Sequence, residues 1–425
     1  MWSDLLATPI ANDFARDTML VLLGITGILG FSAVLKGQLR RRTIIALVSV
    51  GMFMLFAYGL LEFWWKPFPD RIPVLAYLAV GTALFVFAAA IVQLGRRIVM
   101  TVATVIAVIC AAGVVNVIYQ NYPTVKSLNL TPVIDEVNYD SFERMHRAPR
   151  RDGVKTGLQV SVPITGEKSK FKARTAVAYI PPAYFDDRNA NLPVVVMMAG
   201  NPGTPPQWFQ AGDAASTMEM FQKAHNGYAP IVVSVDGTGS FTGNPLCIDG
   251  KKGNIQTYLT QDVPEQIKKK FRVNEDQRKW TIGGLSYGGT CSLQVVTNHP
   301  DAYGAFLDMS GQEEPTVGNH ETTVQQFFNG DESAFQAQNP EHLLQEAIDH
   351  DDDKYHDTVG RFFTGDKDKE TAPAMAHFHQ LANEAGMTTS FTSLPGGHGF
   401  DVWREAFKDS LDFVSAHGDL KGFSD

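Results

Sequence analysis

Gly284-Leu285-Ser286-Tyr287-Gly288 is the stretch that decides the fold of this 425-residue chain. The residues before it, Arg278 to Gly283, read as a short buried strand, and those after it, Thr290 to His299, read as a helix. A serine set between glycines at a strand-to-helix turn marks a backbone bent so sharply that side chains beside the serine would clash. Ser286 is therefore the candidate nucleophile.

A serine hydroxyl attacks poorly until an imidazole takes its proton and a buried carboxylate fixes that imidazole's tautomer. Both partners follow in the chain. An apolar strand, Val359 to Thr364, ends in Gly365-Asp366-Lys367-Asp368, and later comes Ser393-Leu394-Pro395-Gly396-Gly397-His398-Gly399. Of the 11 histidines, His398 stands apart because it sits among glycines after a predicted strand and before a predicted helix, Val402 to His417. Asp368 is the preferred acid, because acids of this type sit a few residues past the strand end with a proline soon after, here Pro373; Asp366 stays open as the alternative. Acyl transfer also needs donors aimed at the developing oxyanion. The predicted strand Leu192 to Met198 ends in Ala199-Gly200-Asn201-Pro202-Gly203, and Pro202 has no N–H, so the Asn201 and Tyr287 amides are the candidate pair.

Hydropathy divides the chain near residue 120. Four apolar runs, Thr18 to Leu35, Thr43 to Trp64, Val74 to Leu94 and Ile98 to Tyr119, are long enough to cross a hydrocarbon layer of roughly 30 Å. Cations in short loops set the orientation. The first loop holds Lys36, Arg40, Arg41 and Arg42 and the third holds Arg96 and Arg97, whereas the N-terminal tail and second loop hold Arg16, Lys66 and Arg71 among Asp4, Asp13, Asp17, Glu62 and Asp70. Loops one and three are thus expected in the cytoplasm, with the N-terminus and everything beyond Tyr119 outside it. Trp64, Trp65 and Tyr119 at span ends suit interfacial anchors.

Residues 1–126 carry 10 Lys and Arg against 5 Asp and Glu, which leaves 26 against 40 in the remainder, a net charge of −14. That balance argues against nucleic acid as a partner and against docking on anionic lipid through a basic patch. Membrane attachment is expected through the helices alone.

A linker, 120–150, with Pro123 and Pro132 near its start, leads to two strand-like stretches, Gly157 to Pro163 and Arg174 to Pro181, that suit an antiparallel hairpin. From Leu192 onward short apolar strands alternate with helical segments, the pattern of a mostly parallel sheet covered on both faces. Between Ser310 and Val359 the rhythm breaks, as for an insertion or cap. The acidic run His350-Asp351-Asp352-Asp353 with His356 lies there, and without zinc or calcium spacing it reads as a solvated face rather than a metal site. Cys110 falls within the fourth span as a packing residue. Cys247 and Cys291 fall in segments that this sheet brings together, and they are read either as a disulfide or as two free thiols.

On these residues, positions from about 150 to 420 resemble the esterase family of α/β-hydrolases that includes the esterase D type enzymes and the actinobacterial mycolyltransferases. The resemblance rests on Gly200-Asn201-Pro202-Gly203 with Trp208, Cys247-Ile248-Asp249-Gly250, Asp262-Val263, the serine turn with Gly288-Gly289, and Pro395-Gly396-Gly397-His398 followed by Trp403. Two positions depart: Ala199-Gly200 stands where many relatives have His-Gly, and Tyr287 where many have methionine. The layout is similar to actinobacterial membrane esterases, among which are hydrolases of aminoacylated phosphatidylglycerol.

The expected fold class is four transmembrane α-helices (1–119), the linker, and an extracytoplasmic α/β-hydrolase domain (151–425) with a mostly parallel, doubly wound sheet. The resemblance implies a serine esterase needing no cofactor; tethering near the outer leaflet makes a lipid or cell-envelope ester the expected substrate class, and the resemblance adds aminoacyl-phosphatidylglycerol as the first expectation within it. The alternative is a mycolyl-type acyltransferase that delivers the acyl group to a sugar hydroxyl.

Overall fold

The computed structural model describes residues 6, 8–35, 37–66, 71–128 and 133–423; Asp4, Lys36, Asp70 and Pro132 lie outside the described residues. The chain forms two compact units, one within residues 1–130 and one within residues 131–425, apart from 67–69.

The first unit is built from α1 (Asp13–Phe31), α2 (Gly37–Gly59), α3 (Val74–Val92) and α4 (Arg97–Tyr119). With their flanking turns, four segments are long and apolar enough to cross a membrane: Asp13–Leu35, Leu39–Trp64, Val74–Val92 and Leu94–Tyr119. The first starts five residues before the apolar run does, because Asn12 accepts the Ala15 amide at 2.8 Å and caps the helix there. Alanines make up half of the buried cluster in this unit, Ala79, Ala83 and Ala89 on α3 and Ala103, Ala107 and Ala111 on α4, beside larger side chains such as Leu23, Phe85, Val86, Met100 and Val114. Spacing of four puts the α4 alanines on one stripe, which lets helix backbones approach closely. Close approach is explicit at Gly113, where an added Cβ would lie 2.3 Å from the Met19 sulfur. Gln93, buried between helices, donates to the Gly30 carbonyl at 3.0 Å. The stretch before α1 pairs with the stretch after α4, through the Ile10 amide on Pro123 O at 2.9 Å and the Val125 amide on Thr8 O at 3.1 Å. Both ends of the four-helix unit therefore emerge on the same side.

The second unit is a nine-stranded sheet. Its strands are β1 (Asp135–Asn138), β2 (Leu158–Val162), β3 (Ala176–Ile180), β4 (Val194–Met198), β5 (Ile231–Val235), β6 (Thr281–Leu285), β7 (Ala305–Met309), β8 (Val359–Gly365) and β9 (Thr388–Leu394). They run in the order β1-β2-β3-β5-β4-β6-β7-β8-β9, antiparallel only where β3 meets β2 and β5. β4, β5, β6 and β7 are buried at every residue, as strands must be when both faces are covered. The edge strand β9, Thr-Thr-Ser-Phe-Thr-Ser-Leu, alternates with exposed polar residues instead.

The covering helices are α5 (Ala214–Ala224), α6 (Val263–Lys270), α7 (Tyr287–Asn298), α8 (His320–Phe328), α9 (Glu332–Gln336), α10 (Pro340–Asp349), α11 (Ala372–Glu384) and α12 (Phe400–His417). α12 shows why such segments fold onto the sheet: Trp403, Phe407, Leu411 and Val414 form one buried stripe. The segment between β7 and β8 holds α8, α9 and α10, so the break in rhythm there is three helices.

Two expectations shift. Arg278 and Lys279 belong to a short helical turn, not to a strand, because Asp276 accepts the Arg278 amide at 3.0 Å; the strand begins at Thr281 and runs to Leu285. β1 lies inside the stretch read as linker and adds parallel to β2.

Candidate functional site

β6 ends at Leu285, α7 begins at Tyr287, and Ser286 is the whole of the turn between them. Its backbone sits at φ +51°, ψ −117°, a conformation that L-residues rarely adopt. Neighbours hold it there: the Ser286 amide donates to Met309 O of β7 at 2.8 Å, and the Ser286 carbonyl accepts from the Thr290 amide at 3.0 Å. The glycines are required by close approach. A Cβ on Gly284 would meet the Gly288 carbonyl carbon at 2.5 Å, and one on Gly288 would meet Met198 O at 2.6 Å.

The acid and the imidazole come from the ends of β8 and β9. Asp368 Oδ2 and His398 Nδ1 are 2.7 Å apart, with the Asp368 side chain 3% exposed. Thr371 supports the same carboxylate, its hydroxyl donating to Oδ2 at 2.6 Å and its amide to Oδ1 at 3.1 Å. Burial pushes the Asp368 carboxyl up, but hydrogen bonding and charge from His398, with the Thr371 hydrogen bonds, outweigh it and hold the group below its ordinary value. Asp366 does something else: it accepts the Gly396 amide at 2.9 Å and so ties the β8 loop to the loop that carries His398. The carboxylate on the histidine is thus Asp368. The indole of Trp403 stands edge-on to the imidazole, with ring centres 5.0 Å apart, and donates to Ser310 Oγ at 3.2 Å.

The turn after β4 lies against the serine turn, since a Cβ on Gly200 would come within 3.4 Å of Ser286 Cβ. Asn201 is buried in that turn, and its side-chain amide donates to Gly243 O at 2.9 Å. Arg174 fastens the same turn from below, with Nη1 on Gly203 O at 2.9 Å and Nη2 on the buried Asp236 at 2.6 Å. The Asp236 carboxyl is raised by burial, yet the Arg174 contacts and the Thr238 amide bring it below its ordinary value. Tyr287 supplies the first amide of α7, at the positive end of the helix. Its ring is buried rather than open to a substrate: the phenol donates to Gly237 O at 2.9 Å and accepts from the Cys247 amide at 3.1 Å. The same loop is joined to α7 by a disulfide, Cys247 to Cys291, with Cα atoms 5.4 Å apart.

Sequence reasoning passed over Gln312. It follows β7 by three residues, and its carboxamide Nε2 donates to Ser286 Oγ at 3.3 Å. The available signal was position alone, because in a parallel sheet the loops just past the strand ends line the site. Arranged this way, a carboxylate fixes the tautomer of one imidazole, and a serine stands at a strained turn where a strand runs into a helix N-terminus. A carboxylate–imidazole pair and a strand-end serine turn are the parts that acyl transfer uses. Among the described residues no group of three or more His, Cys, Asp or Glu is placed to hold a metal.

Comparison with known proteins agrees. The family model described as "Putative esterase" matches residues 169–414. A protein of Corynebacterium glutamicum designated Cgl0967/cg1104 is 48% identical over 417 residues, covering 97% of this chain and 98% of its own length. Among solved structures, a ferulic acid esterase superposes with a TM-score of 0.51 at 20% identity, covering 62% of this chain and 99% of that one. An S-formylglutathione hydrolase from Agrobacterium tumefaciens gives a TM-score of 0.50 at 16% identity, covering 65% and 100%. At these identities the two structures speak to the fold alone. The family match spans more than half the sequence, so this chain belongs to the esterase family, on the α/β-hydrolase fold.

Proposed function

We propose that the chain is a membrane-anchored, extracytoplasmic serine esterase. Ser286 Oγ attacks the ester carbonyl while His398 takes its proton, and Asp368 steadies the imidazolium. The Asn201 and Tyr287 amides receive the oxyanion, the alcohol leaves with the proton from His398, and water resolves the acyl-enzyme by the same route. One observation carries this reading: the 2.7 Å contact of His398 Nδ1 with Asp368, in a fold that presents Ser286 at a strained strand-to-helix turn.

Four apolar helices and a disulfide in the other unit support anchoring with the hydrolase outside the cytoplasm. The paired ends of the four-helix unit agree with an even number of crossings. A hydrolase covalently joined to such helices acts at the membrane surface, so the substrate is a lipid or envelope ester, aminoacyl-phosphatidylglycerol first among them. The test is a comparison of extracted lipids from cells carrying the wild-type chain or Ser286→Ala. An ester that accumulates only with the variant identifies the substrate; identical lipid profiles, with fluorophosphonate labelling unaffected by the substitution, overturn the reading.

A further inference from the structure

One side chain from the loop after β7, Gln312, reaches the nucleophile's oxygen, and Thr290 and Asp308 hold it in place. Thr290, one turn into α7, accepts the Gln312 amide at its Oγ1 at 2.8 Å. That bond occupies the oxygen as an acceptor and leaves its proton to donate, to Gln312 Oε1 at 2.8 Å in preference to the longer contact with the Ser286 carbonyl at 3.3 Å. The carboxamide is thereby oriented: its oxygen faces Thr290, and its Nε2 faces Ser286 Oγ at 3.3 Å. Beneath, Asp308 accepts the Gly311 amide at 2.9 Å and fixes the bend that brings Gln312 to the serine.

We infer that Gln312 is a further catalytic residue, one that drives breakdown of the acyl-enzyme rather than its formation; the inference rests on Ser286 being the nucleophile. The argument concerns how well Oγ accepts a hydrogen bond at each stage. In the free enzyme Oγ is a hydroxyl oxygen and a good acceptor. In acylation it forms its bond to the ester carbon, its proton passes to His398 and on to the departing alcohol, and it becomes an ester oxygen, a poor acceptor. The Gln312 donor therefore stabilises the start of acylation more than its end. In deacylation the order reverses. Water adds to the acyl carbon and gives a proton to His398, the carbon–Oγ bond breaks, and the proton returns to Oγ. As that bond breaks charge grows on Oγ, and a donor already in place stabilises the leaving oxygen. A contact that is long in the resting enzyme is free to shorten at that moment.

The experiment uses the full chain in detergent micelles with p-nitrophenyl acetate, quenched in acid at steady state, and reads the ratio of acylated to free chain by intact mass. Gln312→Met keeps the length of the side chain and removes the donor. The ratio is expected to rise about three- to tenfold, the span that a single neutral hydrogen bond commands, while the rate of fluorophosphonate labelling, which reads Ser286 attack alone, is kept or raised. An unchanged or lower ratio, or no acylated chain in the variant, overturns the inference. Should Gln312→Met abolish labelling, Thr290→Val, which frees the carboxamide but leaves the donor present, decides by the same ratio: a smaller rise is expected, and no rise overturns it. An acyl adduct that persists in Ser286→Ala sinks the nucleophile assignment instead, a result separable from any obtained with Gln312.

Discussion

The two units differ in how many of their large apolar side chains face outward. In the four-helix unit half of the buried cluster is alanine, while Phe53, Leu55, Phe56, Phe87, Ile98 and Ile109 are more than half exposed. In the hydrolase unit Phe306, Leu307, Phe362 and Phe407 are fully buried, and beyond residue 131 the exposed large apolar side chains among the described residues are Val133, Val154, Met220 and Phe241. Hydrophobic burial is a force only where water is the alternative. Where hydrocarbon surrounds the helices, large side chains gain nothing by turning inward, and close backbone contact between small residues holds the bundle together. On the membrane-anchored reading proposed above, one chain folds by two different rules, and the proposed chemistry belongs to the unit that obeys the aqueous one.

The sharpest way to break that division is at the nucleophile. Ser286→Ala is expected to lower ester hydrolysis about 10⁶-fold and to leave alkaline-carbonate extraction of the chain from membranes unchanged. Residual turnover near the wild-type rate would place the chemistry elsewhere. Next comes the acid. Asp368→Asn leaves the geometry but favours the wrong imidazole tautomer, and kcat is expected to fall about 10⁴-fold. Asp366→Asn, which touches only the Gly396 amide, is expected to cost far less; equal losses would mean that loop position, not the tautomer, governs the rate.

How much of this was legible in the sequence follows from the range of each signal. The serine turn, the two strand-end loops and the four apolar runs are contiguous patterns, so Ser286, His398, the loop holding Asp366 and Asp368, and the helices could be named from them. The loop pattern favoured Asp368 over Asp366 but left both open, since both stand in one loop and only the fold shows that one carboxylate takes the imidazole and the other a backbone amide. β1 was hidden because Asp-Glu-Val-Asn has no apolar alternation and is largely exposed at the sheet edge. Gln312 and the Arg174–Asp236 pair were hidden for a different reason. Their contacts span 26 and 62 residues, and no local pattern records such a distance.

The contrast between the units is sharpened by making the same exchange in each. Phe306→Ala, inside the sheet's core, is expected to cost about 3–5 kcal/mol through lost burial and the cavity left behind. Phe53→Ala, on the outward face of α2, removes as many atoms but leaves no cavity, and denaturation of the hydrolase unit followed by tryptophan fluorescence should not register it. Comparable losses from both would show that the outward faces are covered by protein.

The smallest effect concerns the one carboxyl that the aqueous rule treats worst. Asp308, at the end of β7, is fully buried; Oδ1 holds the Gly311 amide, whereas Oδ2 has no hydrogen-bond partner. Burial raises this group to about 7 from 3.8, against a smaller lowering by the Gly311 amide. Between those two values the native chain keeps a proton that the unfolded chain has lost. Stability from this group is therefore complete below the unfolded value and drains away as pH rises toward 7. Asp308→Asn keeps an oxygen for Gly311 and cannot ionise, so the variant should gain on the parent as pH climbs, by roughly 2–4 kcal/mol once the parent is ionised. Urea midpoints taken at about pH 5 and about pH 8 test the sign: the gap in favour of the variant must widen at the higher pH. A gap that stays constant would mean that Asp308 is already ionised in the native chain at the lower pH, and one that narrows would mean that the buried carboxylate is stabilised by a partner in the fold.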